Sequence, residues 1–347
     1  MGQSLKQAWD QYRLLESMQP MDTIRVKPVY TSDNNDRPAA QEDIERHAFL
    51  NKNLLQIRRL LSVYNLLNQS KEASSQNDDL ILPHLVEHHL NQLQYSEDTY
   101  ALIADIVRTV AFAFYTEMQN NLCEQFGTSN RDQQRDHAYA RLKDLFTTQV
   151  QTIIPNFENA TLLYSDDYTD SRGYTFMSPI KDFSLPYNPN NFIALHPAFE
   201  QRDKKSVFTL NTIVHELAHK LMNAIYQSLY ERKDLPVPSP TLLDAWVNQN
   251  FIDGNILSAE LVTNHYSVYR AIPDERLAFY AGNSFETWMR IIGAFPDDET
   301  NILADPEKRE QVINLFNDIE PTIRDWSDNR DKANDTMHQF FKDLYPS

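Results

Sequence analysis

A chain of 347 residues, 41% of them hydrophobic and 11% aromatic, can bury one large core or two modest ones. Its formal charge of −17 argues against a nucleic-acid partner, since phosphate binding needs a basic face and no basic stripe interrupts the acidic balance. Only 6 glycines point away from a Rossmann or β-barrel protein and towards a helix-rich one. The single cysteine, Cys123, excludes an intramolecular disulfide and a cysteine-based zinc site, and is expected to be a small buried hydrophobe on a helix. The first residues, MGQSLKQAWDQYRLLE, contain no apolar run, so neither a secretory signal nor a membrane span is expected. The expected location is cytoplasmic as synthesised, with export by a signal-less machine left open. Lysine at position 6 of the Met-Gly start argues against myristoylation.

In chain order, Leu5, Ala8, Trp9, Tyr12 and Leu15 keep helical spacing up to Pro20. TIRVKPVY suits an edge strand, because Pro28 removes a ladder donor. Ile44 to Leu67 is helical in pattern, and NQSKEASSQNDD breaks it. Helices are then expected at about 83–94, 97–126 and 131–152, with Gly127 closing the 97–126 helix. After Pro155 the texture changes to short β-prone runs, Thr161–Tyr164, Tyr174–Met177 and Phe192–Leu195, separated by Asp, Gly, Pro and Asn. A helix follows over about 211–232, then the LPVPSP linker and helices near 240–250, 255–271 and 273–293. A last pair occupies about 306–345. The expected architecture is helix-rich α+β: an N-terminal helical bundle (1–154) followed by a second domain (155–347) with a small sheet and a motif-bearing helix.

That helix carries NTIVHELAHKLMN, Asn211 to Asn223. Val214, Leu217, Ala218, Leu221 and Ile225 form an apolar stripe. His215 and His219 stand one turn apart, so both rings project from one face at a distance a single metal ion can bridge. Glu216 lies beside that face, placed to take a proton without ligating the metal. This division of labour suits zinc: two neutral imidazoles hold it, it lowers the pKa of a water to about 7, and the carboxylate receives the proton. The competing reading is an amphipathic helix that merely displays His and Glu. A mid-helix position after a strand, with apolar flanks, favours the site.

From NFIALHPAF to TLNTIVHELAHKL the chain resembles zincin metallopeptidases, in which a strand and short loop lead to the HExxH helix. The resemblance covers about residues 190–293 and implies a Zn2+ cofactor, a zincin-like domain, and hydrolysis of a peptide bond in a protein or peptide substrate. It also implies a substrate laid along the sheet edge near Phe192–Leu195. A metzincin is excluded, because His219 is not followed by that group's Gly and third His.

Catalytic zinc takes three protein ligands. The downstream candidates are Asp253, Glu260, Glu275, Glu286 and His265. Glu275, in YRAIPDERLAFYAG, stands near the start of a helix that Pro273 can open, with Ala278 one turn on. This segment resembles the glutamate helix of gluzincins, and of the anthrax-lethal-factor-like peptidases in particular. That likeness implies Glu275 as third ligand and Tyr269 as oxyanion donor, although Tyr269 is one residue out of register; Tyr266 and His265 are its alternatives. The plain reading of Glu275 is a first-turn carboxylate that satisfies the helix dipole. Glu260, in SAELVTNHY, is the runner-up ligand. AGNSFETW resembles a segment of the M35-like aspzincins, which implies a ligand between Asp253 and Glu260, but the Gly-Thr-x-x-Asp signature of that family is absent.

His88 and His89 point about 100° apart on a helix and cannot readily share a metal. His196 ends the strand before the motif helix and is read first as a strand-end polar group. Tyr164, Tyr168, Tyr174, Phe176 and Phe183 are read as sheet core before substrate groove. SDDYTD lacks the Gly and distal Glu of a calcium loop and is read as a turn. The expectation is thus a zinc metalloendopeptidase with metal ligands His215, His219 and Glu275 (or Glu260) and catalytic Glu216 and Tyr269. Its helical N-terminal half would suit a macromolecular target, as in a toxin or effector protease. The alternative is an inactive zincin scaffold serving as a helical binding or adaptor protein.

Overall fold

The computed structural model describes Glu87, Leu90, Asn91 and residues 94–125, 131–164, 173–174, 192–195, 207–230, 236–247, 266–295, 302–327 and 330–345. The expected elements at Leu5–Leu15, 23–30 and Ile44–Leu67 lie outside these residues, as does most of the helix expected at 83–94. The chain divides into two compact units. One comprises Met1–Tyr95, Tyr226–Asp234 and Ser239–Pro273; the other comprises Ser96–Ile225, Leu235–Pro238 and Asp274–Ser347. The compositional change near Pro155 falls inside the second unit. The described part is helix-rich, and none of its helices is long and apolar enough to cross a membrane.

The second unit begins with α1 (Glu97–Gln125) and α2 (Arg131–Gln151). Ser96 starts α1: its Oγ accepts from Thr99 N at 3.4 Å, and Glu97 and Asp98 favour the positive end of the helix. Ile103, Val107, Val110 and Phe114 recur at helical spacing and are buried, as are Tyr139, Leu142, Phe146 and Val150 on α2. The two helices pack together, and Arg141 clasps Glu117 with both arms of its guanidinium, Nη2 to Oε1 at 2.6 Å. Beyond α2, Asn159 Nδ2 donates to Asp144 Oδ1 (2.7 Å) and Gln151 Nε2 to the Phe157 carbonyl (2.9 Å). These bonds fix the chain's exit from the helix into β1 (Thr161–Tyr164).

β1, β2 (Gly173–Tyr174) and β3 (Phe192–Leu195) pair in the order β1-β3-β2. β1 runs parallel to β3 and β2 antiparallel to it. Ile193 and Leu195, two residues apart and so on one face, are buried. Phe192–Leu195 is therefore the central strand. β1 pairs with all four of its residues and β2 with Ala194 and Leu195, so among the described residues β3 lies inside the sheet rather than at its edge.

α3 (Val207–Tyr230) carries the motif. The sequence suggests one apolar stripe, but every residue from Ile213 to Met222 is buried, including His215, Glu216, His219 and Lys220. α3 is an internal helix rather than a one-sided one. Further along come α4 (Ser239–Val247) and α5 (Tyr266–Ala271), which belong to the first unit. α6 (Pro273–Ala294) opens with Asp274 and Glu275 in its first turn. Pro273 at its start has a preset φ and no N–H to leave unpaired.

α6 organises the second unit. It receives α1 through edge-on ring pairs, Tyr100–Tyr280 (5.2 Å), Phe112–Trp288 (5.3 Å) and Phe114–Phe285 (5.8 Å). α7 (Pro306–Arg324), capped by Asp305, buries Val312, Phe316, Ile319 and Ile323 and stacks Phe316 on Trp288 at 3.9 Å. Tyr280 Oη donates to Glu320 Oε1 (2.7 Å), which also accepts from Arg324 Nε (3.1 Å). α8 (Arg330–Leu344) adds Phe341 beneath the Arg290 guanidinium (4.9 Å), and the Tyr345 hydroxyl just beyond it donates to the Arg290 carbonyl.

α3 and α6 run antiparallel, as their contacts show. Asn211 Nδ2 donates to Asn283 Oδ1 (3.2 Å) and Glu286 Oε2 (3.0 Å), His215 meets Phe279, and His219 meets Asp274. Gly282 makes the close approach possible: a Cβ there would lie 2.4 Å from Asn211 Oδ1 and 2.8 Å from the Asn211 carbonyl oxygen.

Candidate metal centre

The antiparallel crossing brings the middle of α3 against the first turn of α6. His215 and His219, at i and i+4, turn both rings towards that turn, with centroids 4.8 Å apart. Their Nε2 atoms are 3.2 Å apart. Glu275 Oε2 completes a triangle, 3.3 Å from His215 Nε2 and 3.5 Å from His219 Nε2. These three side chains could together hold a metal ion. Glu275 Oε2 is buried and makes no hydrogen bond. A buried carboxylate oxygen without a donor is costly, and a cation at the centre of the triangle would satisfy it.

Electrostatics among the site's own side chains reflect the crowding of acid and base. Burial alone would push the His219 imidazole down, but the charges of Glu275 and Asp274 and the hydrogen bond to Asp274 outweigh it and hold it well above its ordinary value. Burial likewise opposes ionisation of Glu275, yet His219 and His215 together hold its carboxyl well below the usual carboxylate range. Glu216 behaves differently: burial raises it, and the neighbouring imidazoles and Lys220 only partly offset the rise. A carboxyl with a raised pKa beside two imidazoles is suited to exchanging protons. The Lys220 ammonium is pushed down to about 8 by burial, against the pull of Glu158 and Glu216.

Of the residues singled out in the sequence, His215, Glu216, His219 and Glu275 thus stand together. Glu286 does not join them: it accepts from Asn211 and pairs with Arg290 at 2.5 Å. Tyr266 and Tyr269 stack at 5.9 Å on α5, with the Arg270 guanidinium 5.8 Å from the Tyr266 ring centroid, in the other unit. Asp253, Glu260 and His265 lie outside the described residues, as do His88, His89, His196, Tyr168, Phe176, Phe183 and the SDDYTD turn. Cys123 falls on α1.

Two contacts at the site were not foreseen. Asp274 Oδ2 lies 2.5 Å from His219 Nδ1, the nitrogen facing away from the triangle. The Phe279 ring meets the His215 ring at 4.7 Å and 65°, and is itself packed on Trp326 at 5.0 Å. The Asp-Glu pair after Pro273 was a usable signal for the first, because adjacent helical residues diverge by about 100° and can address two sides of one ring. Phe279 carried no signal beyond its hydrophobicity. The chain matches no family model, no curated protein and no solved structure.

Proposed function

We propose that the chain is a zinc-dependent metalloendopeptidase of gluzincin-like type, with a zincin-like domain around α3 and α6, acting on a protein or peptide. The observation that carries this reading is the triangle of His215 Nε2, His219 Nε2 and Glu275 Oε2, with sides of 3.2, 3.3 and 3.5 Å. Ligand atoms around a tetrahedral ion with bonds of ~2.0–2.1 Å are ~3.3 Å apart, so the triangle has the size of one face of a zinc site. Two imidazoles and one carboxylate are also the donor set of catalytic zinc with a fourth position open.

When bound, zinc would supply Lewis-acid polarisation of a carbonyl oxygen and lower the pKa of water to about 7. The chain's own part in hydrolysis falls mainly to Glu216. It takes a proton from the attacking water as the new C–O bond forms, then delivers that proton to the amide nitrogen as the C–N bond breaks. Burial raises the proton affinity of this carboxyl above its ordinary value. Asn211 and Gly282 set the spacing of α3 and α6, and so the size of the triangle. The oxyanion role of Tyr269, with Tyr266 and His265 as alternatives, is carried only by the likeness to the anthrax-lethal-factor-like peptidases.

The test is metal analysis of purified protein followed by cleavage assays on a peptide library. One zinc per chain is expected, lost in the His215→Ala/His219→Ala double variant. Glu216→Gln should keep zinc while cleavage falls ~10²–10⁴-fold. A folded wild-type chain that takes up no zinc would sink the proposal and favour a binding or adaptor protein. Zinc uptake with no cleavage of any peptide would leave the metal centre standing and remove the protease.

A further inference from the structure

Asp274 has no part in the scheme above, yet it is more deeply buried than any member of the triangle, at 3% exposure. An acidic residue in the first turn of a helix is ordinarily exposed and interacts with the helix dipole through solvent. Asp274 instead turns inward and places Oδ2 2.5 Å from His219 Nδ1. The next residue, Glu275, directs Oε2 to the same ring's Nε2 from 3.5 Å. His219 is thus held between two consecutive carboxylates on α6, one at each ring nitrogen.

A neutral imidazole has one N–H and one lone pair, and only the lone pair can bind a metal. The triangle needs that lone pair on Nε2. A carboxylate at Nδ1 accepts the N–H there, which leaves Nε2 free as a ligand and fixes the plane of the ring. We infer that Asp274 is the positioning residue of the metal centre: it sets the tautomer and orientation of His219 and strengthens the hold on the ion. The inference rests on the zinc reading of His215, His219 and Glu275.

The geometry also says how the two rings differ. His219 is oriented by a carboxyl group, whereas His215 packs edge-to-face with the Phe279 ring. Loss of Asp274 therefore frees one ligand while leaving the other in place. Partial rather than complete loss of metal is expected.

The experiment measures zinc affinity by competition with a chromophoric chelator for wild type, Asp274→Ala and Asp274→Asn, with His215→Ala as reference. Asp274→Ala should bind zinc ~10–100-fold more weakly, the usual effect of removing a partner behind a ligand. Asp274→Asn should fall in between, because its amide oxygen still accepts from Nδ1–H without the charge. Long-range 15N spectra of the imidazoles in the zinc-loaded proteins supply a readout that a purely structural carboxylate would not move. A protonated Nδ1 on His219 is expected in wild type, with that signal shifted or exchange-broadened in Asp274→Ala. Should Asp274→Ala fail to fold, the near-isosteric Asp274→Asn gives the same two readouts. Zinc affinity within twofold of wild type in a folded variant overturns the inference, as does an unchanged His219 spectrum. If His215→Ala abolishes binding at the same time, the zinc reading survives and only the role of Asp274 falls. No zinc in wild type overturns both.

Discussion

Glu275 Oε2 is the atom on which the candidate site depends, since it faces two imidazole nitrogens and accepts no hydrogen bond. Replacing Glu275 by Ala should weaken zinc binding by more than the ~10–100-fold expected for a residue outside the ligand set, while Glu260→Ala should leave it unchanged. A chelator titration of the two variants decides between them, and the reverse pattern would transfer the ligand role to Glu260. The HExxH part of the site was legible in the sequence because i, i+4 spacing is a property of one helix. Glu275 was reachable only through its likeness to a glutamate helix, because nothing local says which distant carboxylate will meet two histidines. Asp274 stayed hidden for a related reason. Which side of a first-turn carboxylate faces inward depends on how its helix crosses another.

Most of the described helices were readable from periodicity and breakers: Ser96 before α1, Pro273 before α6 and Asp305-Pro306 before α7 all mark where a helix begins. What periodicity could not give was the surroundings of each element. α3 presents one apolar stripe in sequence but is buried all round between Ile213 and Met222, because burial depends on how many neighbours arrive rather than on pattern alone. The central place of β3 was hidden as well, since strand order is set by connections whose ends are far apart in sequence. Gly282 gives this scale its prediction. A Cβ 2.8 Å from the Asn211 carbonyl must force α3 and α6 apart, because that oxygen belongs to backbone and cannot swing aside. Gly282→Ala should cost about 1–3 kcal/mol in denaturant unfolding, the usual range for overpacking, and should also weaken zinc binding by widening the triangle. A variant as stable as wild type with undiminished zinc affinity would show that the approach has slack.

For the molecule as a whole, the proposed ion joins residues 56 to 60 positions apart in sequence, on two helices, one of which also packs against α1, α7 and α8. Binding to the folded state alone stabilises it by RT ln(1 + [L]/Kd), about 2.7 kcal/mol at a hundredfold excess over Kd. Chelation should therefore lower the melting temperature by several degrees, and added zinc should restore it; a melting curve indifferent to chelator would argue against an ion at this place. The acidic balance of −17 gives a second expectation at this scale, an absence of DNA or RNA retention at physiological salt, measurable by gel shift. The aromatic contact behind His215 has one more consequence. Trp326, anchored through Nε1 to Asn334 (3.1 Å), lies one ring away from a proposed ligand, through Phe279. The protein thus carries an intrinsic optical probe beside the site: filling it with zinc should alter the indole emission, a paramagnetic ion such as copper should quench it, and Trp326→Phe should make the remaining fluorescence far less responsive to metal.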